Sequence, residues 1–230
     1  MTETEKHHRP IRSYVLRQGR LTLGQERAFE QLWPKYGIDF DGQPLVQEEL
    51  FPSQQPLFLE VGFGNGESLA QMASEAPQKN FIGIEVHSPG VGHLLIRAQE
   101  LELTNLRIIR HDAMQVLEKG LAENALDGFL LYFPDPWHKK RHHKRRIFRP
   151  VVVERLAQLI KSGGTLHTAT DWQNYAESMV AMMANFEDDF ENVAGAGNFS
   201  PRPEYRPITK FERRGEGLGH GVWDLIFRRR

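Results

Sequence analysis

The chain has 230 residues, of which 40% are hydrophobic and 26% are charged, an ordinary globular balance that excludes a disordered or membrane-embedded chain. No segment approaches the ~20 apolar residues of a spanning helix, and the polar N-terminus lacks the apolar core of a signal peptide. Cysteine is absent, which excludes disulfides and thiolate metal sites and favours a reducing, cytoplasmic location.

The formal net charge of −1 does not by itself indicate a polyanionic partner, but the distribution of the charges along the chain does. Basic residues cluster in residues 9–20, 139–149 and 228–230, whereas many acids lie elsewhere. A local basic patch on a nearly neutral protein favours a specific contact with nucleic acid over indiscriminate binding.

Residues 1–50 lack the regular alternation of elements seen later in the chain. Residues 1–20 are polar and basic without a hydrophobic period, and residues 23–33 predict a helix before Pro34 and Gly37 break the chain. We therefore divide the chain into an N-terminal basic arm and helix, residues 1–50, and one domain, residues 51–230.

From residue 51 onward, short apolar runs alternate with segments of helical periodicity. The runs predict five buried strands at residues 57–61, 81–85, 106–109, 125–133 and 165–170, and a closing strand at residues 222–227. Strands that alternate with helices imply parallel pairing, whereas the closing strand has no helix behind it. The predicted fold class is therefore α/β, a doubly wound, mostly parallel Rossmann-like sheet with an antiparallel strand near the C-terminus.

Two helix boundaries depend on local capping signals. Residues 162–164 (Ser-Gly-Gly) are expected to end the helix before the fifth strand, because glycine can adopt the left-handed cap conformation. Asp171 is placed to cap the next helix, whose apolar face runs from Trp172 to Met183.

An acidic side chain lies at or near the end of each of the first four strands. These residues are Glu60, Glu85, Asp112 and Asp135. Ligands of doubly wound sheets bind beyond the carboxyl ends of the strands, at the point where the strand order reverses. The four acids together predict a ligand site along one edge of the sheet.

Two classes of cofactor compete for that edge. A dinucleotide needs Gly-x-Gly-x-x-Gly, but the turn after the first strand, residues 62–66 (GFGNG), has a different glycine spacing. Glu60 suits a ligand with a positive centre, such as the sulfonium and amino groups of S-adenosylmethionine, while Glu85 could bind the ribose of either class. A nicotinamide-dependent dehydrogenase and a turn without any ligand stay open as alternatives.

The fourth strand leads into Pro134-Asp135-Pro136-Trp137 and then into the basic residues 139–149. Proline donates no backbone hydrogen bond, so this loop is stiff and rich in carbonyls, which suits a flat heteroaromatic ligand. Asp135 could accept from an exocyclic amine or offset positive charge on an alkylated ring nitrogen. The basic run is expected to contact phosphates. A solvated charged face is the alternative, and the neighbouring cations disfavour a zinc site at its histidines.

Four motifs resemble the bacterial tRNA (guanine-N7)-methyltransferase family. They are residues 58–66 (FLEVGFGNG), 83–86 (GIEV), 132–142 (YFPDPWHKKRH) and 209–214 (TKFERR), in the order expected and within residues 51–227. The Pro-Asp-Pro-Trp-basic motif is highly specific, whereas many methyltransferases share the glycine turn. The resemblance implies a class I methyltransferase fold with a seven-stranded sheet, S-adenosylmethionine as cofactor, and methylation at N7 of a guanine in the variable loop of tRNA.

The resemblance also implies roles for individual residues. The cofactor would be held by Glu60, Gly62, Gly64, Glu85, Asp112 and Asp135, with Asp135 also catalytic. The substrate would be contacted by Lys139, Asp171, Thr209, Lys210, Phe211 and Glu212. The RNA would be contacted by Arg141, His142, His143, Lys144, Arg145 and Arg146. Read without the family, Asp171 is a helix cap and residues 209–212 are a polar helix start.

Guanine N7 carries an in-plane lone pair and no proton, so its attack on a methyl group needs no general base. We therefore interpret Asp135 as an orienting and charge-stabilising acid rather than a proton acceptor. The expected partner is tRNA, with no metal and no membrane, and the expected state is a monomer, with a homodimer as the alternative. A non-catalytic RNA-binding protein is the remaining alternative, and the intact set of strand-end acids argues against it.

Overall fold

The structure is a computed structural model that describes residues 12–15, 19–209, 212 and 221–230. Its helices are α1 (Leu23–Tyr36), α2 (Gln47–Leu50), α3 (Glu67–Glu75), α4 (Ser88–Glu100), α5 (Ala113–Lys119), α6 (Pro150–Leu159) and α7 (Gln173–Met183). Its strands are β1 (Gly37–Ile38), β2 (Leu57–Val61), β3 (Asn80–Ile84), β4 (Leu106–Ile109), β5 (Leu126–Tyr132), β6 (Ile160–Thr170), β7 (Phe190–Asn192) and β8 (Trp223–Arg229). Short 3-10 helices span Lys140–Arg145 and Ala184–Phe186.

The strands form one sheet in the order β1-β4-β3-β2-β5-β6-β8-β7. All pairs are parallel except β6 with β8 and β7 with β8. The chain runs outward from β2 through β3 and β4, and then in the other direction from β5 to β6. The strand order therefore reverses between β2 and β5, which is where a ligand is expected in this fold class.

The described part of the sheet has eight strands, one more than the seven expected. The additional strand is β1, whose Gly37 and Ile38 pair in parallel with Ile108 and Ile109 of β4. Two residues are too few to show a hydrophobic period, so the sequence gives no signal for this strand. The α/β class, the mostly parallel sheet and the antiparallel strand near the C-terminus are confirmed.

Helices cover both faces of the sheet and enclose two apolar clusters. Buried residues of α1, α3 and α4 form one cluster with the sheet, and those of α5, α6 and α7 form the other. Every residue of β3 is buried, as expected for a strand covered on both faces. Helix α1 packs against α4, so the N-terminal helix and β1 are continuous with the three-layer core.

The two capping predictions are wrong. Helix α6 ends at Leu159, and Ser162–Gly164 lies inside β6, where the pairing with β5 shifts its register and Gly163 has a positive φ of 81°. The glycines therefore accommodate an irregularity between two strands instead of a helix end. Asp171 is not the N-cap of α7, because that position belongs to Trp172, which forms no side-chain cap.

Candidate active site

A cavity of about 230 Å³ opens at the carboxyl ends of β2 and β5, where the strand order reverses. Its lining includes Gly62 and Glu85 from one side, Phe133 and Asp135 from the other, and Tyr14 from the N-terminal arm. The cavity thus brings together predicted cofactor residues that are up to 73 positions apart in the chain (62 to 135).

The glycine turn after β2 is fixed by Glu85. The Gly64 N–H donates to Glu85 Oε2 at 3.0 Å, while Oε1 accepts from Val86 N at 2.7 Å and His87 N at 3.0 Å. Gly62 and Gly64 have positive φ values of 75° and 62°, and nothing lies within 4 Å of a Cβ built on either residue. The turn therefore leaves backbone open toward a ligand, which side chains at these two positions would obstruct.

Gly90, at the start of α4, is a site-supporting residue that the sequence reading missed. A Cβ on Gly90 would lie 1.9 Å from the carbonyl oxygen of Gly64, so only glycine lets α4 approach the turn. The signal available in the sequence was the glycine itself inside a helical segment, which often marks a close backbone approach.

Glu60 lies in β2 and is 3% exposed. Burial, reinforced by the nearby charge of Glu85, raises the pKa of Glu60 to about 8 from an ordinary 4.5. Its Oε2 atom is buried without a hydrogen-bond partner among the described residues. Since the unfolded chain ionises near pH 4.5, the Glu60 term of the unfolding free energy is fully present below that pH and is lost as pH rises through 8.

Asp112 caps α5 and contacts the N-terminal arm. Its Oδ1 accepts from Met114 N at 2.9 Å, and its Oδ2 accepts from the Tyr14 hydroxyl at 3.3 Å. Burial, and then the charge of Asp112, raise the pKa of the Tyr14 phenol. Asp112 is thus held beside the cavity lining, and Tyr14 is a neighbour that the charge-based reading of the arm did not identify.

The loop of residues 134–137, called the 134–137 loop below, stands at the cavity rim. Phe133, just before the loop, and Trp137, its last residue, have positive φ values of 51° and 48°, a strained conformation that surrounding contacts must maintain. Phe133 N donates to the carbonyl of Ala169 at 2.8 Å. Asp135 lines the cavity, and no other described residue hydrogen-bonds its exposed carboxylate.

The basic run follows the 134–137 loop as the 3-10 helix Lys140–Arg145. Its exposed members are Lys139, Lys140, Arg141 and Lys144, while His142, His143 and Arg145 are half-buried. Arg145 donates to the carbonyls of Arg12 and Tyr14 at 3.0 and 3.1 Å and stacks 3.9 Å over the Trp137 ring.

Arg146 departs from the expectation that the whole run faces RNA. Its side chain is only 6% exposed, and burial lowers the pKa of its guanidinium. The exposed cations can reach phosphates without rearrangement, whereas Arg146 as placed cannot.

The predicted substrate residues are distributed around the same edge. Lys139 is exposed just beyond the 134–137 loop, and Asp171 is exposed at the carboxyl end of β6. Next to Asp171, the exposed Trp172 ring meets His138 edge-on, with 4.2 Å between ring centroids. Lys210 and Phe211 lie outside the described residues.

Glu212 is buried, and its carboxylate is bound within the protein. Arg206 Nη1 donates to Glu212 Oε2 at 2.7 Å and Nη2 donates to Oε1 at 2.8 Å. Thr209 and Glu212 also form a reciprocal capping box, Thr209 N to Glu212 Oε2 at 3.2 Å and Glu212 N to Thr209 Oγ1 at 3.0 Å. The expectation that Glu212 contacts substrate therefore conflicts with its position, whereas Thr209 is half-buried.

The same Arg206 guanidinium binds Asp224 of β8, with Nε to Oδ1 at 2.6 Å and Nη2 to Oδ2 at 2.8 Å. Burial alone would lower the pKa of Arg206, but the hydrogen bonds to Glu212 and Asp224 raise it instead. His167 Nε2 lies 2.8 Å from Asp224 Oδ1. Burial lowers the pKa of His167, so this ring is neutral and donates to Asp224 through Nε2.

The described residues contain no group of three or more His, Asp or Glu side chains that could hold a metal ion. In the same part of the chain, no helix combines the length and the apolar character needed to cross a membrane.

Comparison with known proteins places this chain among the methyltransferases. A family model described as "Putative methyltransferase" matches residues 54–225. The chain is similar to the 30S ribosomal A1408 methyltransferase from an uncultured bacterium, with a TM-score of 0.57 and 15% identity over 82% of this chain and 96% of that one. It is also similar to a variant of the 16S rRNA (adenine(1408)-N(1))-methyltransferase from Catenulisporales acidiphilia, with a TM-score of 0.53 and 15% identity over 77% of this chain and 89% of that one. At these identities the likeness shows the fold, that of the Rossmann-like methyltransferases.

Curated relatives define the family more narrowly. The tRNA (guanine-N(7)-)-methyltransferase from Aeromonas hydrophila is 57% identical over 99% of this chain and 95% of its own length. The enzyme of the same name from Psychromonas ingrahamii is 53% identical over 99% of this chain and 93% of its own length. The chain therefore belongs to the tRNA (guanine-N(7)-)-methyltransferase family, and the resemblance carried by the four motifs is confirmed.

Proposed function

We propose that this protein transfers a methyl group from S-adenosylmethionine to N7 of a guanine in the variable loop of tRNA. The observation that carries the proposal is the 134–137 loop, which borders the cavity between β2 and β5 and continues directly into an exposed basic helix. The names of the relatives, which share more than half of this sequence, support the same substrate atom.

The residues around the cavity fit this cofactor. Glu60 Oε2 is a buried acceptor without a donor, and an ammonium group would satisfy it. The Glu85 carboxylate accepts three backbone N–H bonds, which leaves one of its roughly four acceptor positions for a ribose hydroxyl. Gly62 and Gly64 would provide open backbone, and Asp112 and Asp135 would complete the set. When bound, S-adenosylmethionine supplies a methyl group already activated by a sulfonium.

Asp135 orients the base and stabilises charge in this proposal. Its exposed carboxylate can accept hydrogen bonds from an exocyclic amino group of guanine. It also offsets the positive charge that develops on the ring when N7 is alkylated. Since N7 carries no proton, positioning supplies much of the rate and Asp135 removes no proton.

The RNA is held by the surface that continues from the 134–137 loop. We assign phosphate contacts to the exposed Arg141 and Lys144 and to the half-buried His142, His143 and Arg145. We assign contacts with the target nucleotide to Lys139, Asp171 and Thr209, which surround the same edge of the sheet. Lys210 and Phe211 are included because they follow Thr209 in the sequence. These contacts set affinity and register, while the cavity selects the atom.

The molecular organisation is proposed with the same activity. Residues 1–50 form an arm and helix that pack onto the methyltransferase domain, residues 51–230, and add β1 to its sheet. The protein acts on tRNA in the cytoplasm as a monomer. Light scattering of the purified protein, alone and with tRNA, tests the monomer directly.

Mass mapping of tRNA tests the proposed reaction. After incubation with isotopically labelled S-adenosylmethionine, nuclease digestion and mass spectrometry should find the label on N7 of one variable-loop guanine. A tRNA carrying 7-deazaguanine at that position is the matched control, because it keeps the base shape but lacks the nucleophilic nitrogen. Label on another atom, or equal methylation of the control, would contradict the proposal.

Cofactor binding should be coupled to ionisation of Glu60. Because the pKa of this carboxyl is raised to about 8, it is largely protonated at pH 7 and must lose its proton to pair with an ammonium group. We expect binding at pH 7 to release up to about one proton, and affinity to increase as pH rises toward 8, by at most about tenfold per pH unit.

Calorimetry in two buffers of different ionisation enthalpy measures that proton. The Glu60→Gln variant keeps the size and most of the polarity of the side chain but cannot ionise, so its binding should release less proton and depend less on pH. Identical proton release by the two proteins would show that Glu60 does not ionise on binding.

A further inference from the structure

Arg146 lies within the basic run but faces the protein interior. Its neighbours in the run are exposed or half-buried, whereas Arg146 is 6% exposed. Four of its five N–H donors have partners: Nε reaches the Pro136 carbonyl at 2.9 Å, Nη1 reaches Ser178 Oγ at 3.0 Å, and Nη2 reaches His143 Nε2 at 3.2 Å and Asn174 Oδ1 at 3.4 Å. Its guanidinium also lies 4.4 Å from the centre of the Tyr175 ring.

The contact with Pro136 concerns the residue directly after Asp135. Neither proline of the 134–137 loop can donate a backbone hydrogen bond, so the loop must be anchored through its carbonyls or its ends. One end is anchored where Phe133 N meets Ala169 O, and Arg146 provides the other anchor. Asp135 has no anchor of its own among the described residues, so its orientation depends on these two contacts and on Arg145, which stacks on Trp137 at the end of the loop.

The contacts with Asn174 and Ser178 connect the loop to α7. Both residues lie on that helix, whose start adjoins Asp171 and Trp172. Tyr175 of the same helix accepts a hydrogen bond from Phe148 N at 3.3 Å, and burial raises the pKa of its phenol, with a small further contribution from the charge of Asp135. The guanidinium thus ties the 134–137 loop to α7, the helix that begins beside Asp171 and Trp172.

A direct phosphate contact would require Arg146 to leave this position. The half-buried Pro136 carbonyl and Ser178 hydroxyl, and the exposed Asn174 amide, would then lose a charge-assisted donor, and the two half-buried groups would regain water only in part. The exposed Lys144, two positions earlier, can meet a phosphate without any such loss.

We propose that Arg146 is a positioning residue that holds the 134–137 loop against α7, and thereby orients Asp135, instead of binding tRNA phosphate. The inference rests on the proposed function and divides the basic run into an outer phosphate-binding part and one inward member. Arg146 acts on the reaction through Pro136 and is not itself in contact with substrate.

Single-turnover kinetics at saturating tRNA and cofactor tests this role. Arg146→Lys keeps the charge but loses the planar fork, and it should lower the rate of methyl transfer by roughly 10- to 100-fold. Ser178→Ala removes one partner without changing any charge and should lower the rate in the same direction by a smaller factor. The dissociation constants for cofactor and tRNA should stay within about twofold in both variants.

The salt dependence of tRNA binding distinguishes a cation that binds phosphate from one that positions the 134–137 loop. Arg146→Met removes a charge, yet the slope of log K against log salt should equal that of the parent protein. Lys144→Ala is the matched comparison and should reduce this slope by about 0.7–0.9, the amount expected for one phosphate contact. Thermal unfolding of each variant identifies any that fail to fold, and Ser178→Ala then carries the test.

A reduced salt slope for Arg146→Met with an unchanged transfer rate for Arg146→Lys and Ser178→Ala would overturn the positioning role. The parent protein is measured on the same tRNA in parallel. If the parent itself does not methylate tRNA, the proposed function fails, which is a different outcome from a parent that is active and variants that match it.

Discussion

Replacing Asp135 by alanine is expected to lower methyl transfer at saturating tRNA and cofactor by about 10²- to 10³-fold, the effect typical of removing one stabilising group from a reacting centre. Asp135 is at the cavity rim, exposed and free of other hydrogen bonds among the described residues, so its loss should leave the fold intact. Single-turnover rates with labelled cofactor, together with the melting temperature, measure both effects.

Asp135→Asn is the control that separates orientation from charge. The asparagine keeps one oxygen acceptor for an exocyclic amine but has no negative charge, so its rate should lie between those of the parent and the alanine variant. A rate for Asp135→Ala equal to that of the parent would remove Asp135 from the mechanism. A pH–rate profile with an essential base of pKa ~6–7 would instead make Asp135, or another group, a proton acceptor.

Replacing Arg206 by methionine is expected to destabilise the fold by about 3–5 kcal/mol, the usual cost of removing one partner from a buried ion pair. Arg206 is 0% exposed and binds both Glu212 and Asp224, so the variant would leave two buried carboxylates without their cation. The free energy of unfolding in urea measures the loss.

Arg202→Met is the matched control for this experiment. Arg202 is an exposed arginine on the same segment, and its guanidinium makes one hydrogen bond within the described residues, to the Arg206 carbonyl at 2.7 Å. Its replacement should cost less than about 1 kcal/mol. Adding Glu212→Gln and Asp224→Asn to Arg206→Met should recover part of the stability, because the buried charges are then gone. Equal losses for Arg202→Met and Arg206→Met would contradict the assigned importance of the buried network.

The positions of the central strands along the chain were predictable because each is a short apolar run followed by a turn or an acid. Burial on both faces gives β2, β3 and β5 this pattern. Since the strands pair in parallel, Glu85 and Asp135 then lie together at their carboxyl ends. Strand β1 was not predictable, since its two residues pair only where β4 is already in place. The glycines of β6 were interpreted as a helix end because local sequence signals cannot show that the pairing between β5 and β6 shifts its register there.

Which residues form the candidate site was more predictable from the sequence than the role of each residue in it. A run of cations gives no information about which side chain faces inward, so Arg146 could not be distinguished from Lys144 in the sequence. The role of Glu212 as a substrate contact was implied by the family resemblance, and its buried partner Arg206, which also binds Asp224, meets it only in the folded chain. Tyr14 was missed because the arm has no period from which a contact with Asp112 could be inferred.

The position of β8 in the sheet has a consequence for when this protein becomes active during synthesis. β6 carries Ala169, which anchors the 134–137 loop, and the other edge of β6 pairs with residues 223–228 of β8. Asp224 of that strand also receives Arg206. A nascent chain of which β2, β5 and the whole basic run have been synthesised therefore still lacks the strand that supports β6 beside the 134–137 loop. If the proposed function holds, we expect methyl transfer to begin only after β8 has emerged from the ribosome, although the cations proposed to bind tRNA are synthesised earlier.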